Sequence, residues 1–171
     1  YLIIYIQNYL GIKDYAIVLG VVLLLASVVS VVSGRLIDRL GKLRFVFPAA
    51  AVMLAGLIGM FFVRGSVGVM IAGTVMMSGY MMMTSALGAN IRDWTPADKA
   101  GHFQGIRMIF AVLLPMVTGP AIGAAVIKNG ASTYVELGQV KTVPTPGIYL
   151  AAAAVLMLTF VPILVLRKKE Q

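Results

Sequence analysis

The chain of 171 residues is 60% hydrophobic and only 12% charged, with a formal net charge of +8. A soluble domain of this length must cover itself with polar surface, so the composition excludes one and points to an integral membrane protein. Cysteine is absent, which removes disulfides and thiolate metal sites. The cations cluster in short connections and at the C-terminus, without the aromatic–basic interleaving that reads bases, so no nucleic-acid partner is expected.

The apolar runs are continuous and do not alternate with period two, which predicts spanning helices rather than a barrel. The first, about residues 1–11, is too short to span. It opens inside an apolar stretch at Tyr1 with no charged leader, and reads as a helix whose N-terminal part is missing. It carries Tyr5, Gln7, Asn8 and Tyr9. The second run, about 15–33, carries Ser27 and Ser30, which share a face at i, i+3 spacing.

A basic turn follows, Gly34-Arg35-Leu36-Ile37-Asp38-Arg39-Leu40-Gly41-Lys42-Leu43-Arg44. Gly34 is expected to end one helix and Gly41 to permit the reversal before the next. Asp38, among cations, suits an ion pair or a cap on the N–H groups of a neighbouring helix. A solvated turn that obeys the positive-inside rule accounts for the same residues.

The third run spans about 45–63 and the fourth about 66–90, separated by the tight Arg64-Gly65 turn. The fourth holds Met70, Met76, Met77, Met81, Met82 and Met83, which suit either core filling or a soft binding surface. It also holds Ser78, Tyr80, Thr84 and Ser85. Buried amide, hydroxyl and phenol groups of the first, second and fourth runs suit a hydroxylated, uncharged solute. Each Ser or Thr can equally bond its own i−4 carbonyl.

The next connection reads Asn90-Ile91-Arg92-Asp93-Trp94-Thr95-Pro96-Ala97-Asp98-Lys99-Ala100-Gly101. Thr95 as N-cap, Pro96 at the first helical position and Asp98 in the first turn predict a helix start, with Trp94 as an interface anchor. The fifth run, about 96–127, contains Pro115 and the pair Gly119-Pro120, expected to kink it. Gly101 with Gly105, and Gly119 with Gly123, predict close helix approach. Kinked, glycine-lined helices serve moving gates, and static packing explains them as well. A longer loop with Gly130, Ser132, Gly138 and Pro144-Thr145-Pro146 leads to the sixth run, about 146–166.

Counting Lys and Arg by connection gives the sidedness. Arg35, Arg39, Lys42 and Arg44, then Arg92, Lys99 and Arg107, then Arg167, Lys168 and Lys169 form three rich regions. They alternate with regions holding only Lys13, Arg64, Lys128 and Lys141, which puts the C-terminus in the cytoplasm. No Asp, Glu, Lys or Arg lies near the middle of a spanning run, so the chain supplies no coupling acid of its own. His102 is the only histidine and sits at the cytoplasmic interface; with no catalytic or metal-binding constellation, neither enzyme activity nor a cofactor nor a metal is expected.

The string G-x-L-x-D-R-x-G-K, formed by Gly34, Leu36, Asp38, Arg39, Gly41 and Lys42, closely resembles the loop signature of the major facilitator superfamily. In that family it lies between the second and third helices of each six-helix half, as here. The string R-D-x-x-P-x-D-K-A-G, with Arg92, Asp93, Pro96, Asp98, Lys99, Ala100 and Gly101, resembles the connection before the fifth helix of such a half. The resemblance implies an all-α polytopic helix bundle, one six-helix half of a 12-helix fold with its first helix truncated. The basic end Arg167 to Gln171 favours the C-terminal half, so the N-terminal half would be missing. It further implies a secondary transporter of the cell membrane in which the loop braces the inner gate. The stretch from Asn90 to Asn129 and the Tyr/Gln/Asn-bearing first segment look most like sugar:cation symporters of the glycoside–pentoside–hexuronide branch. The implied partners are the lipid bilayer, a small solute travelling with Na+ or H+, and the other half. In that branch the cation-binding acids belong to the N-terminal half. A multidrug or metabolite exporter of the same superfamily, or a non-transporting membrane scaffold, is the alternative.

Overall fold

A computed structural model describes residues 1–128, 133–136 and 138–169. Gly130 and Ser132 of the expected outer loop, and Glu170 and Gln171 of the tail, lie outside the described residues. The chain opens with α1, an α-turn Leu2–Ile4 continued by a π-helical turn Tyr5–Tyr9. Then come α2 (Tyr15–Leu40), α3 (Lys42–Phe62) and α4 (Ser66–Trp94). A 3-10 turn Ala97–Lys99 leads into α5 (Ala100–Met108), a π-turn Ile109–Leu113 and α6 (Leu114–Ile127). A hairpin, β1 (Thr133–Glu136) and β2 (Gln139–Thr142), precedes α7 (Gly147–Lys169).

Among the described residues, four helical stretches are long and apolar enough to cross a membrane: Tyr15–Leu40, Lys42–Phe62, Ser66–Trp94 and Ala97–Ile127. The fold is an all-α membrane helix bundle. Its helices extend beyond the apolar runs. α2 continues seven residues past the expected end at Ser33, so Gly34 sits inside a helix and Asp38 and Arg39 ride its last turn. Arg, Leu and Ile are adequate helix formers, and one interior glycine costs only about 1 kcal/mol, too little to stop a helix already packed upstream. The break comes at Gly41, whose φ of +86° few other residues adopt.

The expected start at Thr95 is likewise corrected. α4 runs on to Trp94, and Thr95 is its C-cap in extended geometry, as suits a residue preceding proline. Its Oγ1 donates backwards to the Ile91 carbonyl at 2.6 Å, so it caps no following helix. Pro96 precedes the 3-10 turn instead of opening an α-helix. Pro115 falls at the start of α6, directly after the π-turn, and Pro120 lies inside α6.

The core is built on the antiparallel pair α3 and α4. Gly56 of α3 faces the Met76 backbone and Gly79 of α4 faces the Met53 backbone; a β-carbon at either would overlap the opposing main chain. The two helices therefore touch backbone to backbone. Around them Ile6, Val18, Met60, Val69 and Leu156 are buried in one cluster, and Phe45, Val46, Met82 and Ala86 in a second. The glycines expected to make close contacts do not. Gly101, Gly105 and Gly119 face open space, and Gly123 makes room for the Tyr1 ring instead of a helix. From Ala100 to Lys128 every residue is exposed except Gly123, Val126 and Ile127, so α5 and α6 flank the bundle with most of their surface uncovered. The hairpin was invisible in the composition of a connection rich in turn formers. Thr133 pairs with Thr142 and Glu136 with Gln139, around Gly138 at φ +77°.

Candidate functional site

Gly41 reverses the chain in one residue, which puts Lys42 at the first position of α3 beside the last turn of α4. There the Lys42 ammonium forms an ion pair with Asp93. The two sequence strings singled out above are thus joined by a charge-assisted hydrogen bond. Both side chains stay partly exposed, 33% for Lys42 and 53% for Asp93, so the bond is solvated and reversible.

The pair forms one wall of an open cavity of about 530 Å³. Asp38, Arg39, Arg44 and Asn90 are the other polar side chains that line it. Three cations and two carboxylates thus share one basin at this basic end of the bundle. Asp38 is exposed and makes no ion pair or hydrogen bond among the described residues, so neither the ion pair nor the helix cap expected of it is seen among them. Arg39 is exposed too. Gly34 lies one helical stretch earlier, half-buried, with open space where a β-carbon would go.

Arg92 and Asp93 are adjacent on α4, so their side chains diverge by about 100°. Asp93 faces the basin, and Arg92 faces a separate cleft toward α5. Pro96 and Lys99 are exposed on the connection between the helices, and Gly101 is exposed in the first turn of α5. Trp94 is 72% exposed, in keeping with a side chain left for lipid or headgroups. His102 is exposed and stands edge-on to Phe103, at 6.4 Å between ring centroids.

The polar residues of the apolar segments are not gathered into one site. Ser27 Oγ donates to the Leu23 carbonyl at 2.7 Å, and Thr84 Oγ1 to the carbonyls of Tyr80 and Met81 at 3.0 Å, so both are spent on their own helices. Ser30 is half-buried on α2, and Gln7, Asn8 and Tyr80 are exposed. Ser78 differs: it is buried at 3% exposure and its Oγ has no partner, as has Thr74 Oγ1 nearby on the same helix. Tyr5 is fully buried, stacked on Tyr9 with 5.1 Å between centroids and edge-on to Tyr149 at the same distance. The Arg64 guanidinium stands 5.9 Å over the Tyr9 ring. Tyr149 escaped notice in the sequence because it stands alone at the start of an apolar run, just ahead of Ala151 to Ala154. Met76 and Met82 are buried between α3 and its neighbours, which assigns them to packing. Among the described residues no three His, Asp or Glu side chains come together in a manner that could hold a metal ion.

The basic turn closed onto the end of α4, on a bundle of long apolar helices, is the arrangement to set against known families. The family model described as Major Facilitator Superfamily matches residues 1–171. The chain belongs to the major facilitator superfamily. No curated protein and no solved structure was found to match it. Membership in this superfamily makes it a multi-pass membrane protein of a transporter family, with a small-molecule substrate and membrane lipid as its partners. The superfamily is generally non-enzymatic.

Proposed function

We propose that this protein is a secondary active transporter that moves a small solute across the cell membrane by alternating access, the solute being a sugar or glycoside carried with Na+ or H+. The basic end of the bundle faces the cytoplasm, as does the C-terminus. The chain forms one six-helix half, and the facing half lies outside it. The observation that carries this reading is the Lys42–Asp93 pair beside the charged side chains of Asp38 and Arg39. It fastens the α2–α3 turn to the end of α4, while Asp38 and Arg39, which line the same basin, make no ion pair among the described residues. A gate that opens and closes needs such weak charge contacts: each exposed pair contributes about 0.2–1 kcal/mol, so several can form and break in one cycle without trapping either state.

The facing half answers a second fact. α5 and α6 expose an apolar surface that suits a second helical surface packed by van der Waals contact. The acids among the described residues, Asp14, Asp38, Asp93, Asp98 and Glu136, lie at helix ends or in connections. On this reading the cation-coupling carboxylate belongs to the other half.

The test is uptake by the complete protein in proteoliposomes, with a panel of sugars, with and without an imposed Na+ or H+ gradient. Accumulation above equilibrium that collapses with the gradient supports symport. Asp38→Asn should insert normally and lower the uptake rate; unaltered uptake would remove the inner-gate role of the basic turn.

A further inference from the structure

The cleft on the other side of α4 from the basic basin has a chemistry of its own. On α4 it is lined by Thr84, Ser85, Gly88 and Arg92, and on α5 by Phe103, Gln104 and Arg107. Thr84, Gly88 and Arg92 recur at i, i+4, i+8, and Phe103 and Gln104 precede Arg107 by four and three positions, so each set lies on one helix face and two stripes face each other across the gap. The volume is about 550 Å³, within the range of small-molecule sites. The Arg107 guanidinium leans across to α4, where it lies in ordinary contact distance of the space a β-carbon of Gly88 would occupy, Nη2 at 3.5 Å. The Arg107 side chain thus reaches over the α4 backbone at Gly88.

The charge in the cleft is not balanced. It holds two guanidiniums and no carboxylate. Asp93 is turned to the other basin and engaged by Lys42, and Asp98 does not line the cleft. Arg92 and Arg107 have no ion pair among the described residues. Thr84 and Arg107 lie about 15 Å along their helices from Trp94 and Ala97, at ~1.5 Å per residue. Arg107 is carried that far in, while Arg92 rides the last turn of α4; two guanidiniums on one cleft repel each other and call for an anion with planar oxygens. Gln104 and Ser85 add donors beside them, and the Phe103 ring offers a flat apolar wall.

We propose that this cleft binds a small oxyanion, a carboxylate or phosphate group, held by Arg107 and Arg92 with Gln104 at its side. This deepens the transport reading, on which it rests only for the source of the anion: the solute itself, making it an acidic rather than a neutral sugar, or a lipid headgroup.

The test is equilibrium binding to the complete protein in phosphatidylcholine nanodiscs, with glucuronate and inorganic phosphate as probes and glucose as the neutral counterpart. The two anions should compete with each other and glucose with neither. Arg107→Gln should weaken both anions about tenfold or more, the scale of a lost charge-assisted hydrogen bond. Arg107→Lys, which keeps the charge without the fork, should fall between the two, and it serves as the readout if the glutamine variant does not fold. A second arm replaces part of the lipid with phosphatidylglycerol. Glucuronate affinity that falls there in the parent protein but not in Arg107→Gln assigns the site to a lipid phosphate; unchanged affinity assigns it to the solute. Equal binding of glucose and glucuronate, or Arg107→Gln and Arg92→Gln both within twofold of the parent, overturns the proposal. Anion binding without any uptake would sink the transport reading and leave this site standing; sugar uptake without anion binding would do the reverse.

Discussion

Lys42 and Asp93, separated by 51 positions in the chain, meet as an ion pair at one end of the bundle. The meeting follows from two local events: a one-residue reversal at Gly41 and the overrun of α4 past its apolar stretch to Trp94. The pair should show coupling of about 0.2–1 kcal/mol in a double-mutant cycle of Lys42→Met and Asp93→Asn, read by thermal unfolding in detergent. The exchanged pair Lys42→Asp with Asp93→Lys should recover part of the loss. Strict additivity of the two single changes would mean that the contact carries no energy.

The α3–α4 contact gives the largest stability prediction. Gly56→Ala or Gly79→Ala drives a methyl group into an opposing backbone that cannot move aside as a side-chain tip could. Each should cost about 1–3 kcal/mol, the range for overpacking. Gly119→Ala, at a site with open space around it, should stay within about 0.5 kcal/mol of the parent. Melting temperatures in one detergent decide it, and equal tolerance at all three positions would contradict the packing described.

At Gly41 the limit is the backbone itself. Nothing stands near its missing side chain, but φ is +86° and ψ 138°. Gly41→Ala should therefore destabilise by about 1–3 kcal/mol through strain alone. Gly34→Ala, in regular helix with free space, should be neutral or stabilising. The reverse order in a denaturation assay would place the chain reversal elsewhere.

These contrasts show how much the sequence disclosed. Hydropathy located the apolar runs because lipid selects side chains over about 20 residues at a time. It does not mark where a backbone stops being helical, so α2 passed unnoticed through Gly34 to Leu40. Gly41 was legible, since a single reversing residue between two helices has few alternatives. Gly56 and Gly79 were not, because a glycine in an apolar helix looks the same whether it meets a neighbour's main chain or lipid; that depends on the register of α3 against α4. The G-x-x-x-G spacing of Gly119 and Gly123 was a pattern without the neighbouring helix it requires. The polar candidates Ser27 and Thr84 have a local use, the i−4 carbonyl, that spacing alone could not separate from a binding role.

Ser78 offers a sharper test of a substrate contact. Its hydroxyl is buried and unpartnered, so Ser78→Ala removes an unsatisfied group and should leave stability unchanged or slightly raised. If the hydroxyl meets solute during transport, the same change raises KM severalfold with little effect on folding. Loss of more than about 1 kcal/mol with unaltered KM would show that it serves packing instead.

On the transport reading, the basic end opens and closes around a transported solute. Asn90 lines the basin beside Asp93, and this chain has no cysteine, so Asn90→Cys in a cysteine-free protein supplies one reporting thiol. Its alkylation rate by a membrane-impermeant maleimide, added from the side of the basic end, is the most direct measurement. The rate should change severalfold when the transported solute and its driving gradient are present, and return when the gradient is dissipated. A rate that is the same with and without solute, in protein that still accumulates it, would contradict the gating of this end.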